Sequence, residues 1–290
     1  MNRLKFWRFT FLTGMILSFN FVFVNDTLSQ RIEEKALDLL EEVDSVLRCS
    51  NGIEFKAELK ARMKGEDYHQ VALFKIQRVP LKIYYRQYER NQIELLYDET
   101  VNKKKALVNP AGFPYANLHL SPYSSLILKR QHHSIFEADP TYILEQVFYM
   151  FEQCNPDRCL ISLSDTSING VTLQKIYYKN THYTIKQIHV QREMDLLQLA
   201  DYYNVNFYSI LFQNEDLDLG SSLKNGEMVK IPSSYAKSIE LLIDPQKKQL
   251  HSILVEDHEG FFESYRYLWF RNNVVFSPLD FSTDNSEYNF

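Results

Sequence analysis

In residues 53 to 63, IEFKAELKARM, every odd position is apolar and every even position is polar or charged. This alternation predicts a half-buried antiparallel strand with one wet face. LKIYYRQ (81–87), IELLYD (93–98), KALVN (105–109) and SLILKR (125–130) extend the pattern. Turn signals lie between them at Arg90-Asn91, at Val101-Asn102 and from Pro110 to Pro122, so a long meander is the simplest topology. Strand patterns resume at CLISLSD (159–165), VTLQKIYYK (171–179), SIELLIDPQKKQLHSILVED (238–257) and FFESYRYLWF (261–270), with turns at Asp244-Pro245 and Gly260. The chain then ends in a polar tail with little pattern.

Two stretches carry helical spacing. Ile32, Ala36, Leu39, Leu40, Val43 and Val46 form an apolar stripe opposite Glu33, Glu34, Lys35, Glu41 and Glu42. Residues 139 to 153 place Tyr142, Ile143, Val147, Met150 and Phe151 on one face, with Asp139 as N-cap and Pro140 in the first helical position. The expected fold class is therefore α+β, one long, curved antiparallel sheet with two helices on its concave face. Two helices do not cover such a sheet. An apolar groove remains for a lipid or other hydrophobic ligand unless side chains fill it, and the pattern leaves both outcomes open.

Between these strands, residues 193 to 232 abandon period two. Leu196, Leu199, Ala200 and Tyr203 share one helical face; Phe207, Ile210, Leu211 and Asn214 share a second; Asn225-Gly226 turns the chain into EMVKI before Pro232. With IHV (188–190) as the first strand, the order is β-α-α-β.

Composition narrows the setting. The 290 residues are 45% hydrophobic and 14% aromatic, enough for a sizeable core, and the net charge of −5 offers no general attraction to nucleic acid or anionic membranes. Arg3, Lys5 and Arg8 precede the apolar run FTFLTGMILSFNFVFV (9–24), with Thr27 and Ser29 before Gln30, the layout of a secretory signal over residues 1–29. Cleavage there removes those three basic residues and Asp26, a net +2, taking −5 to −7. Export allows a short-loop disulfide between Cys154 and Cys159; three reduced, partly buried thiols are the other reading.

KIQRVPLKIYY (75–85), ALVNPAGFPYANLHLSP (106–122), LKRQHHSIFEA (128–138), SIELLID (238–244) and ESYRYLWFRNNVVFSPLDF (263–281) together resemble an exported bacterial family of unknown function. That resemblance implies the LolA/LolB lipoprotein-carrier fold, a half-open barrel lidded by helices; the family's usual glycine after Glu-Ala is Asp139 here. The residues LA…YNV…IL…N…L…LKNGEMVKIP resemble a LysM module, which implies binding of N-acetylglucosamine glycans such as peptidoglycan. LysM modules commonly carry Gly-Asp-Thr where this chain has Glu193, Met194 and Asp195, so the tight glycine turn is missing. The resemblance places Glu215, Asp216 and Leu217 at the second loop of a sugar groove, making Met194, Asp195, Glu215, Asp216 and Leu217 the candidate glycan-binding residues. Asn214 is read as bracing the second helix. A working module and a spacer or protein contact both fit.

The domain plan expected is a signal peptide (1–29), a half-barrel in two parts (30–182 and 236–290) and an inserted LysM-like unit (183–235). Enzyme motifs are poor. SSLK (221–224) matches Ser-x-x-Lys but lacks companion motifs, and neither GxGxxG nor GxxxxGK occurs. His132 and His133, if in a strand, face opposite ways and do not share a metal, leaving solvated or hydrogen-bonded histidines. The acidic pairs Glu66-Asp67 and Asp257-Glu259 read as solvated turns. The function expected is a non-enzymatic envelope binding protein with no cofactor, its groove holding a lipid or lipoprotein acyl chain and its module touching peptidoglycan or a partner, without nucleic acid. A cell-wall-binding scaffold with a filled barrel, and an envelope glycan or lipid hydrolase, are the alternatives.

Overall fold

The computed structural model describes residues 20–64, 67–88, 92–101, 104–112, 115–155 and 157–290, with side chains from residue 31 onward. Residues 1–19 of the expected signal peptide, the Arg90-Asn91 turn, Asn102, Glu66 and Pro156 lie outside the described residues.

Helix α1 (Asn20–Cys49) runs through the expected cleavage position after Ser29. Its buried stripe is Ala36, Leu39, Leu40, Val43 and Leu47, with Val46 only half-buried. Six strands follow: β1 (Gly52–Arg62), β2 (Asp67–Gln77), β3 (Lys82–Gln87), β4 (Glu94–Asp98), β5 (Ala106–Asn109) and β6 (Leu118–Leu120). Next come α2 (Ser125–Leu128), a 3-10 turn Ile135–Glu137 and α3 (Pro140–Glu152). Asp139 caps α3 by accepting from Thr141 N at 3.0 Å. The segment SLILKR, expected as a strand, is instead the four-residue helix α2; a short apolar run has no period of its own, and Leu128 turns inward while Leu126 faces solvent.

Strands β7 (Cys159–Ile168) and β8 (Val171–Asn180) complete the first part. The sulfurs of Cys154 and Cys159 are in bonding contact, with Cα atoms 5.8 Å apart, tying the end of α3 to the start of β7; Cys49 is unpaired and exposed. The β-α-α-β package comprises β9 (Ile185–His189), the short β10 (Met194–Asp195), α4 (Leu196–Tyr203), α5 (Phe207–Gln213), the short β11 (Ser222–Leu223) and β12 (Met228–Pro232). Strands β9 and β12 pair antiparallel, as do β10 and β11. The chain returns through β13 (Ser238–Asp244), β14 (Gln249–Asp257) and β15 (Gly260–Arg271).

All the long strands belong to one open antiparallel sheet of order β6-β5-β4-β3-β2-β1-β15-β14-β13-β8-β7. It is not a simple meander. The last strand pairs with the first, Glu54 opposite Arg271, so two meanders meet at the centre. Register shifts at Lys56/Ala57, Leu242/Ile243 and Val255/Glu256 are bulges of the kind that bend a sheet. The inward residues of β1 to β5 join α1 and α3 in one core. Gly52 opens β1 where its carbonyl accepts from Val274 N at 2.9 Å, and a Cβ there would sit 2.0 Å from the Val274 oxygen.

Strand β8 is the sheet neighbour of β13, with Lys179 opposite Ser238. The package therefore occupies a connection between adjacent antiparallel strands. Its two ends are held together by Ser233 N on Thr184 O at 2.9 Å and Thr184 N on Ser233 Oγ at 3.0 Å.

The polar tail is packed, contrary to its lack of pattern. Residues 276–290 cross the outer face of β2 to β5, where Tyr288 stacks on Tyr84 at 3.8 Å and Lys75 Nζ pairs with Asp280 Oδ1 at 2.6 Å. Phe281 joins Tyr84 and Leu96 in a second small core. Among the described residues, no helix is long and apolar enough to cross a membrane.

Candidate functional site

The concave face of the sheet and the segment from α2 to α3 do not meet everywhere. Between them lies a cavity of about 350 Å³, near the lower end of the ~300–1,000 Å³ range of ligand pockets. Its sheet wall is Phe55, Leu59, Phe74, Leu95 and Val108; Ile127, Ile135 and Ile143 close it from the opposite side. Phe55 stacks between Phe74 (4.8 Å) and Phe270 (5.3 Å), which holds the aromatic wall rigid.

One part of the lining is charged. His132, His133, Glu137, Tyr142 and Tyr265 border the cavity, and Glu263 lies directly behind them with no exposed surface. Glu263 accepts from Tyr235 OH at 2.7 Å and from Tyr265 OH at 3.0 Å. His132 Nδ1 stands 3.1 Å and His133 Nε2 3.0 Å from Glu263 Oε2. The remaining nitrogens also face acceptors, His132 Nε2 the Arg62 carbonyl at 2.9 Å and His133 Nδ1 Glu137 Oε2 at 3.1 Å. His133 thus faces two carboxylates, and because a neutral imidazole has only one N–H, both are served only by its charged form.

Burial alone would drive His133 neutral, but the charge of Glu263 and its hydrogen bonds to Glu137 and Glu263 outweigh this and raise its pKa well above the ordinary value. Burial alone would likewise raise Glu263; the His133 charge and the two imidazole hydrogen bonds hold it far below the usual carboxylate range. The phenols of Tyr235 and Tyr265 are pushed up by burial and then by the Glu263 charge. At neutral pH the cluster is thus a fixed, internally paired set of charges.

The adjacent histidines are hydrogen-bonded, as one reading of the sequence held, but the opposite-face argument fails. They lie in a bend rather than a strand, so both rings turn to one carboxylate. Asp257 is likewise not a solvated turn residue. It is 4% exposed and receives both Arg62 nitrogens, Nη1 to Oδ1 at 2.9 Å and Nη2 to Oδ2 at 2.5 Å, beneath the Phe212 ring. Glu259 is more exposed and contributes a looser 3.4 Å contact to Arg62. Among the described residues, no group of three His, Cys, Asp or Glu side chains is arranged to hold a metal ion.

The package is fastened beside this cluster. Asn206 Nδ2 donates to the His132 carbonyl at 2.9 Å, and Tyr208 OH reaches the Leu128 and Lys129 carbonyls at 2.9 and 2.7 Å. The Tyr208 and Phe262 rings flank His132 at 4.8 and 4.3 Å. Segment 128–133 is therefore shared, with one side on the apolar cavity and the other on α5.

The five candidate glycan residues fall into two groups. Met194 is buried in the package core, and Asp195 is the N-cap of α4, accepting from Gln198 N at 2.8 Å while Gln198 Oε1 accepts from Asp195 N. Asp195 thus fills the capping role of a small hydroxyl at that position. Glu215 and Asp216 are exposed after α5, and Leu217 is half-buried against the core. A second cavity beside α4 includes Asp195, and its lining includes none of Glu215, Asp216 and Leu217. Asn214 braces α5 to β12, donating to the Ile210 and Lys230 carbonyls at 2.7 and 2.8 Å and accepting from Lys230 N at 3.0 Å.

The cavity and its charged wall were hidden from sequence reasoning because strands far apart in the chain build them. One signal was available: Glu263 is in phase with the inward Tyr265 and Tyr267, and it pairs opposite Ala61 and Val255. A carboxylate on the core-facing phase of a strand demands a buried partner.

No family model matches the sequence, and no curated protein matches it. Solved structures with a similar fold include the Pseudomonas aeruginosa MucA/MucB complex, at 8% identity over 86% of this chain and 61% of that one, with a TM-score of 0.38. LprF from Mycobacterium bovis is similar at 9% identity over 84% of this chain and 96% of that one, with a TM-score of 0.40. A putative outer membrane lipoprotein-sorting protein domain from Vibrio parahaemolyticus is similar at 8% identity over 87% and 98%, with a TM-score of 0.34. The chain spans less than two thirds of the chain it matches in that complex.

Proposed function

We propose that this protein is a non-enzymatic binding protein of the bacterial envelope, exported by its N-terminal signal, and that the half-barrel cavity holds an acyl chain of a lipid or lipoprotein. The observation that carries this reading is the apolar cavity itself, walled by Phe55, Phe74, Leu95 and Val108 and roofed by Ile127 and Ile143. A cavity so apolar gains little from water and much from methylenes, about 0.8 kcal/mol for each one buried. The charged cluster beside it is self-paired, which suits a fixed wall better than acid-base chemistry.

The test is native mass spectrometry of the protein purified from its own cells without detergent. A co-purified lipid mass is expected. Leu59→Trp, which projects a large ring into the cavity from a half-buried position, should abolish that mass while leaving the protein folded. A wild-type spectrum showing only bare protein would overturn the reading in favour of a filled scaffold.

The β-α-α-β package serves in this reading as a LysM-like module that contacts peptidoglycan or a partner protein. Its support is the strand pairing of β9 with β12 around two capped helices. Glycan binding is expected to be weak, because Glu193 replaces the glycine that permits close backbone approach and Met194 is buried. Co-sedimentation of the full chain with insoluble peptidoglycan checks this beside an Asp216→Ala, Leu217→Ala variant. Weak retention lost in the variant is expected; tight retention unchanged in the variant would rule out both the weakness and the position.

A further inference from the structure

One stretch of the apolar cavity is lined by uncharged polar groups. Gln70 on β2, Tyr85 on β3 and Gln131 after α2 meet there: Tyr85 OH donates to Gln70 Oε1 at 2.6 Å, and Gln70 Nε2 donates to Gln131 Oε1 at 3.0 Å. A longer contact of 3.4 Å returns from Gln131 Nε2 to Gln70 Oε1. Gln70 is 2% exposed and Tyr85 is 8% exposed. Each primary amide carries two N–H groups; the contacts use one on Gln70, while Gln131 reaches both Gln70 and the Tyr85 phenol. Gln70 therefore keeps one amide N–H beyond these contacts, at the cavity wall. Buried polar groups with unused capacity are costly in an otherwise apolar wall unless something completes them.

The charges around the cavity are committed elsewhere or exposed. His133 is held by Glu137 and Glu263, and Asp139 by Arg78 at 2.7 Å. Lys60 is half-exposed and pairs with Glu58 at 3.4 Å, while Arg130 is exposed. A carboxylate or phosphate lodged at Gln70 would find N–H donors but no buried positive charge to offset its lost hydration. An ester carbonyl or hydroxyl fits, because it can accept from the Gln70 N–H without bringing a charge into the cavity.

We propose that Gln70, Gln131 and Tyr85 form a recognition site for an uncharged oxygen group, so that the cavity selects acyl esters or acyl alcohols over free fatty acids of the same length. This rests on the acyl-binding reading above. The experiment uses the full chain loaded with the apolar dye N-phenylnaphthylamine, displaced in turn by monolaurin, laurate and dodecane. Monolaurin should compete about tenfold better than either. Gln70→Leu combined with Gln131→Leu should weaken monolaurin about tenfold while changing dye affinity less than about twofold. Tyr85→Phe, which keeps the ring and removes only the hydroxyl, should weaken monolaurin about threefold and stands in if the double variant does not fold. If laurate competes as well as monolaurin, or if monolaurin binds the variants as it binds wild type, the selectivity site is overturned and acyl binding survives. If neither the dye nor any of the three chains binds wild type, both proposals are overturned.

Discussion

Glu263→Gln is expected to cost about 3 kcal/mol of folding stability, measured by urea unfolding at neutral pH, because it removes the buried carboxylate shared by His132, His133, Tyr235 and Tyr265. The shape is conserved, so the loss reports charge and hydrogen bonding rather than packing. The pH dependence carries a sharper signature. The folded pKa of His133 is raised from 6.5 to about 10, so its contribution is full below about 6.5 and is lost as pH rises through the folded value. The folded pKa of Glu263 is lowered from 4.5, so its contribution is full above about 4.5 and is lost as pH falls through its depressed value. Wild-type stability attributable to the cluster should therefore be level between these two ordinary values and decline on both sides. The variant should lose most of the alkaline decline, so its deficit relative to wild type grows as pH falls from about 10 to about 6.5 and shrinks as pH falls below about 4.5. An alkaline limb identical in both proteins would show that the cluster does not govern it.

Arg62→Met should cost about 3–5 kcal/mol, because it strands Asp257 in a buried position with its charge unpaired. Adding Asp257→Asn removes the stranded charge and should return the protein to within about 2 kcal/mol of wild type. Arg62 also supports Phe212 of α5, its guanidinium carbon 4.9 Å from the ring centroid. Amide hydrogen exchange in α5 should therefore accelerate in the single variant more than in β14. A double variant as unstable as the single one would assign the loss to packing instead.

The parts of the fold that sequence revealed are those where one rule acts alone. The perfect alternation from Ile53 to Met63 marks β1, and Asp139-Pro140 marks the start of α3. In the package, Leu196, Leu199, Ala200, Phe207, Ile210 and Leu211 are buried at the helical spacing expected, while Tyr208 and Ser209 are buried as well because α5 has a second neighbour in the segment 128–133. Strand β2 was missed for a related reason. Its inward residues Gln70, Ala72, Phe74 and Ile76 alternate with Val71 and Leu73, and Leu73 packs under the C-terminal tail. Covering both faces erases the polar half of the pattern. The charged wall was hidden by distance, since Glu263 lies 131 residues from His132.

The pairing of β1 with β15 has a consequence for how the molecule comes to exist. The opening strand of the sheet finds its second neighbour only when the closing strand arrives, more than 200 residues later, with Glu54 opposite Arg271. Until then β1 lacks one of its two strand neighbours, and His132 and His133 lack Glu263. Such long-range closure is slow, on the order of milliseconds to seconds for strand-rich two-state domains. The first meander, β1 to β6, must meanwhile survive with an open apolar edge. A chain crossing a membrane from its N-terminus would expose that edge for the whole transit. Truncation before Gly260, which leaves β1 without its second neighbour, should therefore yield aggregates rather than a smaller folded protein.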